Sequence, residues 1–403
     1  MKYDFTSIMD RRGMDALAVD GLGQGTAPGA PRDGFDAIPM WVADMNFPTV
    51  PTVTEAIIRR AQHPAYGYFT PRQEYIDAIL SWQRQRNGVT DLTPEDLGYA
   101  NGVLGGVVSA LNVLCAKGDG VLIHSPTYIG FTNTLKANGY DAVLSPLVLD
   151  EDNIWRMDFA DMEKKIRENR IHTAIFCSPH NPCGRVWERW EIEQAMELFR
   201  KYDVYVISDE IWSDLTLGDF RHIPTQSVSE DARQRTVALY APSKTFNLAG
   251  LVGSYRIVYN RRLRDQIDKE AALTQYNHQN VLSMHALIGA YSPEGAQWVD
   301  ELRQVLTQNA AYACDYIEAH FPGVAVSRPQ GTYMLFLDCT EWCRVHGKTL
   351  NEVEQAAWDV GVALQDGRAF HGPCHLRVNL ALPLSRVQEA FRRLDQYVFG
   401  VKE

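Results

Sequence analysis

The chain has 403 residues, of which 45% are hydrophobic and 22% charged, which is the composition of an ordinary globular protein. Its 50 acidic and 39 basic residues give a net charge of −11, so no general basic surface exists for a nucleic acid and we expect no nucleic-acid partner. No apolar run approaches the roughly 18 residues of a membrane helix. Asp4 near the start, with no apolar core after it, is unlike a secretory signal. We therefore expect a cytoplasmic protein without a membrane partner.

Residues 1–45 predict an N-terminal arm associated with a C-terminal domain. Gly21, Gly23 and Gly25 form a G-x-G-x-G string, but no strand precedes them and prolines follow. This context favours a loop over a dinucleotide-binding turn. An ordered body begins with the string W-V-A-D-M at residues 41–45.

Residues 46–290 predict a large cofactor-binding domain. Apolar runs alternate with helical patterns such as residues 188–202. The runs are continuous rather than alternating, which is typical of a mainly parallel sheet covered on both faces. Strands that alternate with helices indicate the α/β class. The predicted strands are residues 121–124, 173–177, 204–208, 236–240 and 255–259.

Residues 291–403 predict a smaller α+β domain. A long helical pattern over 296–320 precedes strand-like residues 333–337 and 376–380, with helical patterns at 350–360 and 386–398. The seven cysteines are interpreted as reduced thiols. His371, Cys374 and His375 are too close together and too isolated for the usual zinc spacings. We expect no metal.

Four polar motifs occur in or next to predicted strands, where ligands collect in open α/β sheets. Each also has an ordinary structural explanation. Asn181 lies in a proline–glycine turn, and Asp209 could cap a helix. Lys244 could be a solvated lysine, or a desolvated one suited to Schiff-base chemistry. Arg377 could form a structural ion pair or bind a carboxylate with two parallel hydrogen bonds.

The order of these motifs is more specific than any one of them. Asp209 follows Asn181 by 28 residues, Lys244 follows 35 residues later, and Arg377 lies in the C-terminal region. Over roughly residues 35–398, the sequence resembles the pyridoxal-phosphate (PLP) enzymes of the class I/II aminotransferase superfamily, fold type I. The strings W-V-A-D-M, Y-G-Y (66–68), S-P-H-N-P-C-G-R-V-W (178–187) and A-P-S-K-T-F-N (241–247) resemble the cystathionine β-lyase-like C–S lyase branch.

The resemblance implies roles for the polar residues. Lys244 would hold PLP covalently and then remove the α-proton of the substrate. Asp209 would pair with the ring nitrogen, an ion pair that should lower its own pKa. Asn181 would donate to the ring phenolate and contact substrate, Tyr128 would stack on the ring, and Arg377 would bind the substrate carboxylate.

Further contacts are implied for the phosphate and the substrate. Backbone amides of Gly102, Val103 and Leu104 would hold the phosphate at a helix N-terminus, helped by Ser243. Tyr68 would reach the phosphate from a neighbouring subunit, which implies a homodimer with composite active sites. The other implied substrate contacts are Trp41, Val42, Ala43 and Tyr66.

Three positions depart from the pattern of many aminotransferases. Val252 stands where an arginine often binds phosphate, Ala241 replaces a common serine, and Trp212 replaces a common tyrosine. The first two remove polar phosphate contacts, and the third removes a hydroxyl near the ring phenolate. All three fit the lyase branch better than a typical transaminase.

The resemblance favours β-elimination on L-cystathionine or cysteine S-conjugates, giving thiol, pyruvate and ammonia. A PLP-dependent aminotransferase for an aromatic or other apolar amino acid is the alternative, because it would use the same residues. A regulatory protein that retains the cofactor without catalysis is a third possibility. The chain has no helix-turn-helix extension that would favour it.

Overall fold

The computed structural model describes residues 1–274 and 278–400. The α-helices are α1 (Leu17–Asp20), α2 (Pro51–Ala61), α3 (Gln73–Asn87), α4 (Gly102–Leu114), α5 (Ile129–Ala137), α6 (Phe159–Asn169), α7 (Arg189–Lys201), α8 (Glu230–Arg235), α9 (Pro242–Thr245), α10 (Arg261–Thr274), α11 (Val281–Ala290), α12 (Pro293–His320), α13 (Thr340–His346), α14 (Leu350–Asp359) and α15 (Leu384–Leu394).

The β-strands are β1 (Ile38–Pro39), β2 (Leu97–Ala100), β3 (Gly120–Ser125), β4 (Asp141–Leu149), β5 (Trp155–Met157), β6 (Thr173–Cys177), β7 (Tyr205–Asp209), β8 (Thr236–Tyr240), β9 (Ser254–Ile257), β10 (Ala325–Val326), β11 (Met334–Asp338), β12 (Val362–Ala363), β13 (Gln365–Asp366) and β14 (His375–Asn379). Short 3₁₀ turns lie at Pro94–Asp96, Thr225–Ser227, Ala249–Leu251 and Arg368–Phe370, and a π-helical turn at Asp395–Phe399 follows α15.

Eight strands form the large sheet, in the order β2-β9-β8-β7-β6-β3-β4-β5. Strands β8, β7, β6, β3 and β4 run parallel, whereas β2, β9 and β5 pair antiparallel with their neighbours. Every residue of β6 and β8 is buried, because helices cover both faces of the sheet. The predicted α/β class and its mainly parallel sheet are confirmed.

The carboxyl ends of the parallel strands bring distant polar residues to one edge. Cys177 at the end of β6 pairs with Asp209 at the end of β7, and Asp209 pairs with Leu239 near the end of β8. Tyr128 lies just after β3 and Lys244 just after β8. The candidate site therefore forms where these strands end, as in other open α/β sheets.

The four-stranded sheet has the order β10-β11-β14-β13 and is antiparallel throughout. The 28-residue helix α12 precedes it and spans about 42 Å. This region is the smaller α+β unit predicted after the large sheet, and its strand β14 carries Arg377. The exact division of the chain at residues 45 and 290 stays a prediction.

The N-terminal segment packs against strand β12 and helix α12 of the C-terminal region. Ile38 pairs with Val362 in a two-stranded parallel ladder, and the buried ring of Phe5 contacts Phe47 and Trp298. These contacts lead residues 41–47 past the end of β14 and towards Lys244. The glycine string at residues 21–25 lies in turns after α1.

Helix α4 packs closely on the large sheet because Gly106 has no side chain. A Cβ atom there would lie 2.7 Å from Leu239 Cδ2 and 3.2 Å from Ala100 Cβ. The close approach sets the first turn of α4 against the carboxyl end of β8.

Among the described helices, none combines the length and apolarity needed to cross a membrane.

Candidate active site

A cavity of about 290 Å³ opens at the carboxyl edge of the large sheet. Its walls come from the loops after β3, β6, β7 and β8 and from the first turn of α4. The lining residues are Ala43, Asn101, Gly102, Val103, Leu104, Gly105, Tyr128, Cys177, Asn181, Asp209, Ile211, Trp212, Ser243, Lys244, Ala249, Val252 and Gly253.

Lys244 lies in the short helix α9, with its amine at the cavity. The Nζ atom donates a hydrogen bond of 2.8 Å to the carbonyl oxygen of Ala43, and it lies 5.8 Å from the centre of the Trp212 ring. Surrounding protein lowers the pKa of Lys244 to about 8, chiefly by desolvation and secondly through the positive charge of Arg377. A larger fraction of this amine is therefore neutral near pH 7 than of a solvated lysine.

Asp209 is buried at the end of β7. Its Oδ1 accepts a hydrogen bond of 3.1 Å from the backbone N–H of Ile211. Desolvation raises the pKa of Asp209 to about 7, and neither this hydrogen bond nor the charge of Lys244 offsets the burial. A cationic group in the cavity would favour the ionised form of this carboxyl.

The first turn of α4 offers backbone amides to the cavity. Gly102 has a φ of +74°, which leads the chain from β2 directly into the helix. The Asn101 side chain does not cap this helix, and its first turn carries no acidic residue. Uncapped N–H groups at a helix N-terminus bind anions, and Ser243 lines the cavity as well.

Tyr128 and Asn181 line the walls between these two ends. The Tyr128 ring lies over Gly130, where a Cβ atom would come within 2.2 Å of Tyr128 Cε1. Gly130 therefore permits the position of the ring, a dependence that sequence motifs did not reveal. The side-chain amide of Asn181 is buried and accepts a hydrogen bond of 3.4 Å from Arg377 Nη1.

Arg377 lies behind Asn181 and is buried. Its Nη2 donates to the carbonyl oxygen of Trp41 at 2.8 Å and to the side chain of Gln365. Among the described residues its Nε has no hydrogen-bond partner, and no carboxylate forms an ion pair with it. Burial lowers the pKa of Arg377 to about 10, so a substrate carboxylate would supply the missing negative charge.

Two asparagines hold residues 42–45 against the cavity. Asn247 accepts a hydrogen bond from the N–H of Met45 and donates one to its carbonyl oxygen, both at 2.9 Å. Asn379 donates to the carbonyl oxygens of Val42 and Asp44, both at 2.6 Å. Asn247 lies in the lysine motif, and Asn379 lies two residues after Arg377 on the same strand face. Both could therefore have been identified from the sequence.

Two further contacts could not be found from motifs. The Tyr333 hydroxyl donates to the carbonyl oxygen of Ala43 at 3.0 Å, and the Tyr333 ring packs edge-on against Trp212. Arg11 forms an ion pair of 2.6 Å with Asp44. Both depend on chain segments that are far apart in sequence, and no local pattern marks them.

Five predicted residues do not line the cavity: Arg377, which lies behind Asn181, and Trp41, Val42, Tyr66 and Tyr68. Val42 and Trp41 contribute backbone carbonyls that hold Asn379 and Arg377, while the Trp41 indole donates to Ala18 at 3.0 Å. The structure thus places the backbone of Trp41 near the site rather than its ring. Tyr66 donates to the carbonyl oxygen of Ala61, and Tyr68 is fully exposed.

The His371, Cys374 and His375 set is not assembled around a common centre. His375 stacks on Phe336, with ring centres 4.6 Å apart. Throughout residues 1–274 and 278–400, no group of three or more His, Cys, Asp or Glu side chains is arranged to hold a metal ion.

The chemical groups around the cavity match the parts of PLP. Helix amides at one end suit a phosphate, the Lys244 amine suits an aldehyde, and the Tyr128 ring suits a flat heterocycle. The carboxyl of Asp209 suits a protonated ring nitrogen, because it is buried and desolvation raises its pKa to about 7, which a cationic neighbour would counteract. The volume is also near the lower end of small-molecule pockets, about 300 Å³.

Comparison with known proteins adds independent findings. Residues 37–394 match the family described as aminotransferase class I and II. Cystathionine beta-lyase PatB of Bacillus subtilis (strain 168) is 33% identical over 362 residues, which cover 89% of this chain and 92% of that protein. Protein MalY of Escherichia coli (strain K12) is 30% identical over 409 residues, with coverage of 99% and 100%.

A solved structure shares the architecture over nearly the whole chain. The PLP-bound C-S lyase from Staphylococcus hominis superimposes with a TM-score of 0.88 at 29% identity, covering 98% of both chains. The similarity therefore includes the large sheet, the smaller sheet and the loops that carry the cavity.

The buried carboxyl predicts a pH dependence of the PLP-free protein. An unfolded aspartate titrates near pH 3.8, whereas Asp209 in the folded chain has a pKa of about 7. Between these values only the folded state holds the proton, so raising the pH through this window lowers the free energy of unfolding, by on the order of 4 kcal/mol. Below the window, both states are protonated and the cost vanishes.

Asp209→Asn should remove most of this pH-dependent fall in the free energy of unfolding. The PLP-free variant should therefore be more stable than the PLP-free wild type at pH 8. Urea unfolding at intervals from pH 4 to pH 8 measures the difference, with the exposed Asp315→Asn as the matched control. Parallel stability curves for Asp209→Asn and the wild type would contradict the assignment.

Proposed function

The chain belongs to the aminotransferase class I and II family, as its motifs predict, and we propose that it is a PLP-dependent C–S β-lyase. Its substrates are L-cystathionine or cysteine S-conjugates, and its products are a thiol, pyruvate and ammonia. One observation carries the proposal. A lysine with a pKa of about 8 shares a cavity with a buried, undercompensated carboxyl, in a chain 33% identical to a cystathionine beta-lyase.

We assign the cofactor contacts to the groups that line the cavity. The amides of Gly102, Val103 and Leu104 and the hydroxyl of Ser243 hold the phosphate. Lys244 bonds to the aldehyde carbon, Tyr128 stacks on the ring, and Asn181 donates to the ring oxygen. Asp209 holds the ring nitrogen in its protonated form. When bound, PLP supplies an electron-withdrawing ring that accepts the electron pair left by removal of a substrate α-proton.

Arg377 binds the α-carboxylate of the substrate. Its present partners near the cavity are neutral oxygens of Asn181, Trp41 and Gln365. A carboxylate offers a charged, two-oxygen partner with the geometry of the guanidinium fork, so it replaces neutral contacts with stronger ones. This contact fixes the amino acid with its α-carbon near the Lys244 amine.

Lys244 moves the proton. Lowering its pKa from 10.5 to about 8 raises the neutral fraction near pH 7 roughly 300-fold. Lys244 would be released when the amino group of the substrate takes its place on the cofactor, and the freed neutral amine would then accept the α-proton. The electron pair left by the C–H bond would lead to cleavage of the bond between the β-carbon and sulfur. The sulfur departs with that bond's electrons as a thiolate, and the remaining three-carbon fragment hydrolyses to pyruvate and ammonia.

Trp212 provides the surface for the sulfur substituent. Its ring is buried, lines the cavity and is held edge-on by Tyr333 at a centroid distance of 4.7 Å. An aromatic face is a favourable neighbour for a polarisable thioether. The tyrosine hydroxyl common at this position in transaminases is absent, which supports elimination over amino-group transfer.

A second copy of the chain completes the site in this proposal. Every residue from 61 to 74 is exposed, and Tyr68 has no buried surface in the single chain. A run with Tyr66, Tyr68 and Phe69 in water is costly, and such surfaces mark interfaces. Tyr68 would reach the phosphate of the neighbouring subunit.

A cytoplasmic location is part of the same proposal, supported by seven cysteines that all carry free thiols.

Product analysis tests the activity directly. Protein saturated with PLP is given L-cystathionine without any keto acid, and pyruvate and free thiol are assayed. We expect catalytic, equimolar release of both. Lys244→Ala is the control, and it should lose turnover because no other described amine lines the cavity. Amino transfer to added keto acids without thiol release would instead identify an aminotransferase.

Arg377→Ala should raise KM for cystathionine on the order of a hundredfold, because a buried charged partner contributes a few kcal/mol. The visible absorbance of bound PLP should stay unchanged. Arg377→Lys, which keeps the charge but loses the planar fork, should recover only part of the loss. Steady-state kinetics measure both, with the exposed Arg344→Lys as control. An unchanged KM in Arg377→Ala would place the carboxylate elsewhere.

Subunit mixing tests the composite site. The protein should sediment at twice 45.5 kDa. Tyr68→Ala should bind PLP weakly, and Lys244→Ala should be inactive. A hybrid of the two variants contains one site with both residues intact, so mixing should restore activity that neither variant has alone. Subunit exchange without recovery would show that Tyr68 acts within its own subunit or not at all.

A further inference from the structure

A second, smaller cavity lies between α3, α12 and the segment after β7. Its volume is about 180 Å³, and it shares no lining residue with the candidate active site. Three arginines, Arg86, Arg221 and Arg303, face it together with Asp214. A concentration of guanidinium groups in so small a space is unfavourable unless negative charge accompanies it.

Among the described residues, the acidic side chains near this cavity form direct ion pairs with only one of the three arginines. Arg86 forms an ion pair of 2.7 Å with Asp300 and lies 3.9 Å from Asp214. Among the described residues, neither Arg221 nor Arg303 forms an ion pair. Burial, and secondly repulsion from Arg221 and Arg86, lower the pKa of Arg303, although the charges of Asp300 and Asp214 act in the opposite direction. The three arginines and the two carboxylates Asp214 and Asp300 therefore leave positive charge in excess, and among the described residues neither Arg221 nor Arg303 has a carboxylate in direct contact.

Backbone carbonyls hold these two arginines in place. Arg303 donates through Nε to the carbonyl oxygen of Thr216 at 2.6 Å and through Nη2 to that of Gly218 at 3.2 Å. Arg221 donates through Nη1 to the carbonyl oxygen of Phe220 at 2.8 Å. Nη1 of Arg303 and Nη2 of Arg221 have no partner within the described parts of the chain. Both groups are accessible to solvent, so an anion in the cavity could accept hydrogen bonds from them.

We propose that this arginine cavity binds a phosphate group, either as inorganic phosphate or as the phosphate of a small ester. Guanidinium forks match the oxygens of phosphate and donate charge-assisted hydrogen bonds to them. The volume equals that of about six water molecules at about 30 Å³ each. It accepts a phosphate but leaves the organic part of a larger ester outside.

The cavity connects to the active site through one buried carboxylate. Asp214 accepts hydrogen bonds from Trp82 Nε1 at 3.1 Å and from Thr245 Oγ1 at 3.0 Å. Thr245 follows Lys244 in α9. A phosphate on the other side of Arg86 competes with Asp214 for that guanidinium, so the bound anion acts on a residue that supports the lysine helix.

Phosphate titration of the PLP-saturated protein tests the site. Isothermal titration calorimetry and thermal unfolding are run at constant ionic strength, with sodium chloride replacing sodium phosphate in the reference. We expect saturable binding of phosphate with a Kd in the millimolar range or below, and a matching rise in Tm. Absence of any phosphate effect beyond that of chloride would overturn the proposal.

Substitutions locate the binding. Arg303→Gln and Arg221→Gln should each weaken phosphate binding at least tenfold, whereas the exposed Arg261→Gln should bind like the wild type. Arg221 is exposed, so its variant keeps the test valid even if Arg303→Gln fails to fold. Ser243→Ala distinguishes this site from the cofactor phosphate cradle, because only binding at the cradle would respond to it. Wild-type binding by both arginine variants would refute the assignment.

A second ligand separates the two sources of phosphate. Glycerol 3-phosphate is titrated under the same conditions as inorganic phosphate. Equal affinity identifies the free anion as the ligand, because the organic part then makes no contact. Tighter binding of the ester, lost in Arg221→Gln, identifies a phosphorylated metabolite. Binding of neither compound contradicts the proposal.

Discussion

The incomplete charge compensation of Lys244, Asp209 and Arg377 is the constraint on which the rest of the site depends. Each is desolvated by the fold, and each pKa shifts towards the neutral form. Desolvation of this kind costs free energy, and the neighbouring protein groups do not offset the cost. A ligand with a ring cation and a carboxylate supplies the missing charges, so binding energy and protonation state are coupled.

Two layers of the fold bring these three groups together. The parallel strands of the large sheet place Asp209 and the Lys244 loop at one edge, whereas Arg377 comes from the antiparallel strand β14 of the smaller sheet. Residues 41–45 bridge the two layers, because their carbonyl oxygens accept hydrogen bonds from Lys244, Arg377 and Asn379. The distance between Lys244 and Arg377 therefore depends on how this segment holds the two sheets together.

The same loop after β7 serves two cavities. Asp209 at the end of β7 and Trp212 at the start of the loop face the active site, and Asp214 and Arg221 further along the loop face the arginine cavity. Asp214 is buried between them and bonds to Thr245 beside the lysine. This hydrogen bond is a direct structural connection between the arginine cavity and the helix that carries Lys244.

The sequence by itself determined the fold class, the cofactor lysine motif and the family, because these rest on local patterns. Continuous apolar runs mark buried parallel strands, and the polar residues next to them keep a recognisable spacing. Tertiary structure alone decided which groups position the site residues. Tyr333 on Ala43, Arg11 on Asp44 and the ring of Tyr128 over Gly130 are contacts without a periodic or spaced signal. The missing counter-charge at Arg377 is likewise a property of burial, and burial is fixed only when distant segments pack together.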